Sequence, residues 1–141
     1  MSIGIIIVDH GSRRGECNDV VEEVAARFPA TYPADFPVVE PAHMEFAEPS
    51  IATALARCIK RGARRVVVMP FFLGPGKHWN EDIPRLVKDA NKYFPEVETT
   101  IAAPLGIDDL LLRLIAQRIH ERLSATPCSR QTLPHHRGDR L

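Results

Sequence analysis

The chain has 141 residues, enough for one domain that buries roughly two-thirds of the surface its unfolded form would expose, and no second domain is required. Hydrophobic residues make up 45% and charged residues 26%, the mixture of a globular chain rather than of a disordered or membrane-spanning one. Lys plus Arg and Asp plus Glu both number 18, so the formal net charge is zero; without a basic excess nucleic-acid binding loses its main electrostatic drive, and an anionic ligand must be held by a local positive cluster.

The elements predicted in chain order alternate strand and helix. "IGIIIVD", about residues 3 to 9, reads as a buried strand, followed by Val20, Val21, Val24, Ala25 and Phe28 at helical spacing. This opening is too short for a signal peptide or membrane span and lacks a basic n-region. "PVVEPAHMEF" is a weaker strand interrupted by Pro41; Pro49 then stands near a helix start, and Ile51, Leu55 and Ile59 make an apolar stripe ending at Gly62. "RRVVVMPFFL" is the strongest strand, and beyond its glycine-bearing turn Asn80 is expected to cap a helix with Ile83, Val87, Ala90 and Phe94 facing inward. The fourth unit pairs "VETTIAAPL" with a helix from about Asp108 to Leu123 carrying Leu111, Ile115 and Ile119.

Four consecutive βα units with nearly all-apolar strands imply an α/β fold: an open four-stranded parallel sheet, flavodoxin-like, covered by helices on both faces and joined by right-handed crossovers. The expected domain runs from residue 1 to 123. From residue 124 to 141, "SATPCSRQTLPHHRGDRL" has no periodicity and reads as a flexible tail. Cys17, Cys58 and Cys128 are far apart and form no C-x-x-C pair, which suggests neither a disulfide framework nor a cysteine metal site and makes a reducing cytoplasm the expected setting.

In an open parallel sheet, ligands bind beyond the carboxyl ends of the strands, near the point where strand order reverses. The loops there read "DHGSRR", "HMEFAEPS", "LGPGKHWNEDIP" and "PLGIDD". His10, His43, Glu45 and His78 therefore gather at one end of the sheet, while His120 and the tail pair His135 and His136 lie elsewhere. Imidazole with carboxylate suits a borderline divalent ion such as Co²⁺, Fe²⁺, Ni²⁺ or Zn²⁺, and so few ligands leave the site open for exchange or reaction. Each side chain has an ordinary explanation when taken alone. His10 and Gly11 can end a strand while Ser12 caps the next helix; His43 can be a polar strand end, and Glu45 a solvated acid. His78 and Trp79 can pack within their loop, and Arg13 and Arg14 can form a solvated face. Ligand-type side chains on three successive βα loops weigh against coincidence.

"DHGSR", "PAHMEFAEPSI", "PFFLGPGKHWNEDIP" and "PLG", in that order after the four strands, resemble the CbiX/SirB sirohydrochlorin chelatases in their short single-domain form. The likeness covers about residues 1 to 123. It implies insertion of Fe²⁺ or Co²⁺ into sirohydrochlorin for sirohaem or cobalamin synthesis, with Ni²⁺ used by related short proteins, and it implies no redox cofactor or ATP for the insertion itself. It carries over His10, His78 and Glu45 as the catalytic and metal-handling residues. His43 departs from the family pattern, where an aromatic is more usual, and stands as a further candidate ligand. The family's plant members carry a cysteine cluster near the C-terminus that Cys128 alone does not reproduce. The substrate is a polyanion, so Ser12, Arg13, Arg14 and Lys77 are the candidates for binding it. Because the chain resembles half of the longer two-domain chelatases, a homodimer is expected, with neither nucleic acid nor membrane as partner.

Three rivals come from other classes. A phosphohistidine enzyme would need a cation where Asp9 stands, and a nucleotide binder would need a G-x-G-x-x-G or G-x-x-x-x-G-K-[ST] loop, which is missing. A non-catalytic metal carrier could use the same histidines, with His135 and His136 added.

Overall fold

The computed structural model describes residues 2–74 and 76–125, without the side chains of residues 77–79. The chain divides into two compact units, Met1–Gly106 and Ile107–Leu141. In the first, strand β1 (Ile3–Asp9) leads to helix α1 (Gly15–Thr31), β2 (Val38–His43) to α2 (Ile51–Lys60), and β3 (Arg65–Pro70) to α3 (Lys77–Asn91), before β4 (Glu98–Ile101). The second unit contributes α4 (Asp109–Leu123), whose N-cap Asp108 accepts from the Leu110 N–H at 2.9 Å and which carries Leu111, Ile115 and Ile119 at helical spacing. The expected tail, from residue 126 onward, and Cys128, His135 and His136 within it, lie outside the described residues.

All strand pairs are parallel, and the order is β2-β1-β3-β4. The chain moves from β1 to one side for β2 and then to the other for β3, so the reversal falls between β1 and β3, where flavodoxin-like sheets bind their ligands. Strand alternation divides the core. Ile6 and Val8 of β1 and Val66 and Val68 of β3 pack with Leu55 of α2 and Ile83, Val87 and Ala90 of α3. Ile5, Ile7 and Val39 face the other way, against Val21 and Ala25 of α1. The central strand β1 is buried on both faces, which explains its run of branched aliphatics. Cys58 belongs to the α2 side of the core, and burial pushes its thiol up to about 12.

Local chemistry explains the boundaries. Pro41 is tolerated in β2 because that strand lies at the edge of the sheet, where an N–H facing away from β1 can be missing without breaking the ladder. Ser50 caps α2 by accepting from the Thr53 N–H at 3.1 Å, and Gly62, with φ +100°, follows its last turn.

Four expectations change. Asn80 does not cap α3: Gly76 is the extended N-cap residue, and the Asn80 N–H donates to its carbonyl at 3.2 Å, so the helix starts a turn earlier. Ser12 does not cap α1, which starts at Gly15 with Arg14 at the N-cap; the Ser12 hydroxyl instead accepts from the Arg14 N–H at 3.0 Å. Val20 is exposed, because Val21 and Ala25 take the sheet-facing stripe of α1. Finally β4, with Thr99 and Thr100 at its centre, is a four-residue edge strand with none of its residues buried. Among the described residues, no helix is long and apolar enough to cross a membrane.

Candidate active site

β1 and β2 continue to pair past their assigned ends. The Met44 N–H donates to the Asp9 carbonyl at 3.0 Å, and the Glu45 N–H to the His10 carbonyl at 3.2 Å. The loop after β2 then doubles back, so that the His43 N–H meets the Pro49 carbonyl at 2.8 Å. Between these segments stands Gly11, with φ +91°; a Cβ placed there would lie 1.9 Å from the Glu45 carbonyl oxygen. Only glycine offers both this conformation and this approach. The residue after His10 thus lets the first loop lie directly on the backbone of Glu45.

The consequence is an exposed pair of ligand-type groups. His10 Nδ1 stands 3.8 Å from Glu45 Oε2, with the side chains 49% and 52% exposed. That separation is too long for a hydrogen bond. Two donors each ~2.1 Å from one divalent ion would stand ~3.0–3.5 Å apart, so a small rotation of either side chain would let both ligate it. Phe72, just beyond β3, presents its ring edge-on to His10 with centroids 6.5 Å apart. Residues that follow β1, β2 and β3 therefore meet beside the switch point.

Arg13 and Arg14 are exposed in the first loop, and the Arg13 guanidinium carbon lies 4.6 Å above the Phe46 ring. Phe46 is 52% exposed and holds a φ of 70°, a left-handed conformation uncommon for an aromatic residue. Asn18 of α1 fixes the same loop from below: its Oδ1 accepts from the Ser12 N–H and its Nδ2 donates to the Ser12 carbonyl, both at 2.9 Å. Lys77 and His78 open α3, directly after the β3 loop, and their side chains lie outside the described ones. Among the described residues, no group of three or more His, Cys, Asp or Glu side chains could hold a metal ion; His10 and Glu45 form a pair.

His43 is corrected as a ligand candidate. Its side chain is 0% exposed, with Nδ1 2.6 Å from Asp9 Oδ1 and Nε2 3.1 Å from Glu22 Oε2. Each ring nitrogen faces a carboxylate oxygen, a setting that favours the protonated ring. Burial opposes this charge, but the hydrogen bonds and charges of Asp9 and Glu22 outweigh it and raise the pKa above 6.5. Buried, and with both nitrogens turned to carboxylates, His43 is not presented to the open end of the sheet as His10 is. The alternation of β2 explains the difference between the two histidines: like Val39, His43 points toward α1, which supplies Glu22.

Sequence reasoning missed Glu22, Asn18, Phe46 and Phe72. A signal for the first two was present. Asn18 and Glu22 are four residues apart on the helix that carries Val21 and Ala25, beside its apolar stripe, where a polar side chain that becomes buried, as Asn18 does, needs a hydrogen-bond partner.

Comparison with known proteins agrees with this architecture. The CbiX family model matches residues 4–122. The chain is 54% identical over 121 residues to a chloroplastic sirohydrochlorin ferrochelatase of Arabidopsis thaliana, covering 86% of this chain and 53% of the plant protein. It is 34% identical over 125 residues to a sirohydrochlorin cobaltochelatase of Saccharolobus solfataricus, covering 84% of this chain and 94% of the archaeal one. The solved structure of SirB from Bacillus subtilis with Fe³⁺ superposes with a TM-score of 0.76 at 26% identity, covering 89% of this chain and 49% of SirB. The chain thus spans about half the length of the plant and Bacillus proteins and nearly the whole of the archaeal one. Matched along nearly all of its described residues, and by an archaeal relative of almost its own extent, the chain belongs to the CbiX family of sirohydrochlorin chelatases.

Proposed function

We propose that this chain inserts Co²⁺ or Fe²⁺ into sirohydrochlorin, with His10 and Glu45 as the pair that receives the metal and His78 as a third metal-handling residue. The observation that carries this reading is the approach of His10 to Glu45 at 3.8 Å beside the β1/β3 reversal. Metallation exchanges two pyrrolic N–H protons for one dication, so the site must release a metal and accept protons in the same place. An imidazole and a carboxylate, both half exposed, can do each. Arg13 and Arg14, with Ser12 and Lys77 on the neighbouring loop segments, answer the carboxylates of the ring. Phe46 and Phe72 offer apolar surface to its flat face.

Ligand type separates Fe²⁺ from Co²⁺ poorly, and both metals stand in the names of relatives, so metal supply decides between sirohaem and cobalamin synthesis. The setting is the cytoplasm, and the working form is a homodimer in which two copies replace the two halves of the longer relatives. Residues 1–123 form the working domain and 124–141 are dispensable for turnover.

The test is anaerobic incubation with sirohydrochlorin and Co²⁺ or Fe²⁺, following the macrocycle's absorption. His10→Ala should abolish turnover at every pH. His78→Ala should be partly rescued by excess Co²⁺, and Glu45→Gln should not be rescued if Glu45 takes up pyrrole protons. Near-parental rates in His10→Ala would overturn the site, and metal binding without turnover in the parent would make the chain a carrier.

A further inference from the structure

We propose that His43 is a positioning residue: by hydrogen bonding Asp9 it fixes the end of β1, and with it the geometry in which His10 faces Glu45. This inference rests on the metal-site reading above.

Asp9 and His43 are partners in the last rung of the β1/β2 ladder. Their backbones lead directly into His10 and Glu45, joined by the Met44 to Asp9 and Glu45 to His10 hydrogen bonds. The side-chain bond of 2.6 Å therefore crosses the same two strands one residue before the first ligand and two before the second. It restrains the Asp9 side chain and hence the direction of the peptide that leads to His10. The ring's other nitrogen anchors the rung to α1 through Glu22 at 3.1 Å.

Stability is a weak reason to place a histidine here. The ring is fully buried, and a buried ion pair is often no more stabilising than packed apolar side chains, whereas its hydrogen bonds do specify geometry. Outer hydrogen-bond partners that orient metal ligands have that effect in metal sites generally. Rigid support matters most where the ligands themselves are exposed, as His10 and Glu45 are.

The two nitrogens can be tested separately. The amide of His43→Asn can replace Nδ1 and reach Asp9, whereas that of His43→Gln can replace Nε2 and reach Glu22. The full chain would be loaded with Co²⁺, its visible absorption recorded, and kcat and KM for sirohydrochlorin measured. His43→Gln should lower kcat ~10-fold or more with a smaller change in KM, and should alter the Co²⁺ spectrum; His43→Asn should retain most of both. A purely structural role would lower the melting temperature of both variants and leave the spectrum and kcat of the folded fraction parental, which would overturn the proposal. So would equal losses of kcat in the two. If neither variant folds, Asp9→Asn, which keeps an acceptor oxygen for Nδ1 but loses the charge, should shift the Co²⁺ spectrum, and an unchanged spectrum would overturn the proposal. His10→Ala separates the two levels. A parental Co²⁺ spectrum there removes the metal-site reading and the positioning role together, whereas an altered one beside a parental His43→Gln removes the positioning role alone.

Discussion

Two layers at the carboxyl end of the sheet carry similar residues under opposite conditions. The rim holds His10, Glu45, Arg13 and Phe46, all largely exposed; directly beneath it His43 and Asn18 are buried, and His43 is held by Asp9 and Glu22. Each layer has a histidine facing a carboxylate. At the rim the distance is 3.8 Å and water reaches both groups; beneath, it is 2.6 Å and the ring is sealed. The rim pair is open to solvent, while the lower pair is short and sealed. Exchangeable chemistry stands on a layer whose own polar groups are satisfied, and no buried side-chain nitrogen or oxygen among the described residues lacks a partner.

Short of removing a ligand, the largest loss of turnover should come at Gly11, where the first loop lies on the backbone of Glu45. Gly11→Ala forces a Cβ toward the Glu45 carbonyl at a φ of +91°. Moving the loop to relieve that clash displaces His10 from Glu45, and turnover should fall ~100-fold, as for other displacements on the order of 1 Å at a reacting centre. A parental rate in Gly11→Ala would mean that the spacing of the two loops is unimportant.

Replacing the two histidines separates the layers by stability. His43→Ala leaves Asp9 and Glu22 without their shared donor and should cost about 2–4 kcal/mol in urea unfolding; His10→Ala, at the rim, should stay within about 0.5 kcal/mol of the parent. The contribution of His43 should also depend on pH. Its folded pKa is raised, so the folded state binds the proton more tightly than the unfolded one. The stabilisation is then complete below about pH 6.5 and is lost as pH rises through the folded value. Melting curves of the parent and of His43→Phe from about pH 5 to about pH 9 check this: their difference should shift against the parent on the alkaline side, and a pH-independent difference would contradict the raised pKa.

The smallest effect on stability is expected at Phe46. Phe46→Gly relieves a left-handed backbone and removes the stacking of Arg13, effects of opposite sign on the order of 1 kcal/mol each, so the melting temperature should barely move. If Phe46 supports the macrocycle, KM for sirohydrochlorin should rise while stability stays level. An unchanged KM would confine Phe46 to holding Arg13.

Most of the fold was legible before any coordinates. Branched aliphatics at residues 3 to 9 and the "VVVM" run report burial because a parallel strand covered by helices tolerates little else, and the stripe from Ile51 through Ile59 marks the core-facing side of α2 at helical spacing. Boundaries were less legible. Asn80 looks like a cap, but the extended Gly76 opens the helix first, a decision made by backbone conformation rather than residue preference. β4 was expected to be enclosed, yet its central threonines belong to an unburied edge.

For the candidate site, the sequence by itself determined the address: the loops carrying His10, Glu45 and His78 follow successive strands, and chain order in a parallel sheet sends such loops to one end. Spacing alone did not separate His10 from His43, since each sits at the end of an adjacent strand beside an acid, and only the family resemblance favoured His10. Tertiary structure decided that. Strand alternation turned His43 onto the α1 face, where Glu22 arrives from a segment 21 residues earlier, and the left-handed turn at Gly11 brought His10 to Glu45. A side chain's partners are set by which face it occupies and by what distant element packs there, and sequence spacing contains neither distance nor burial.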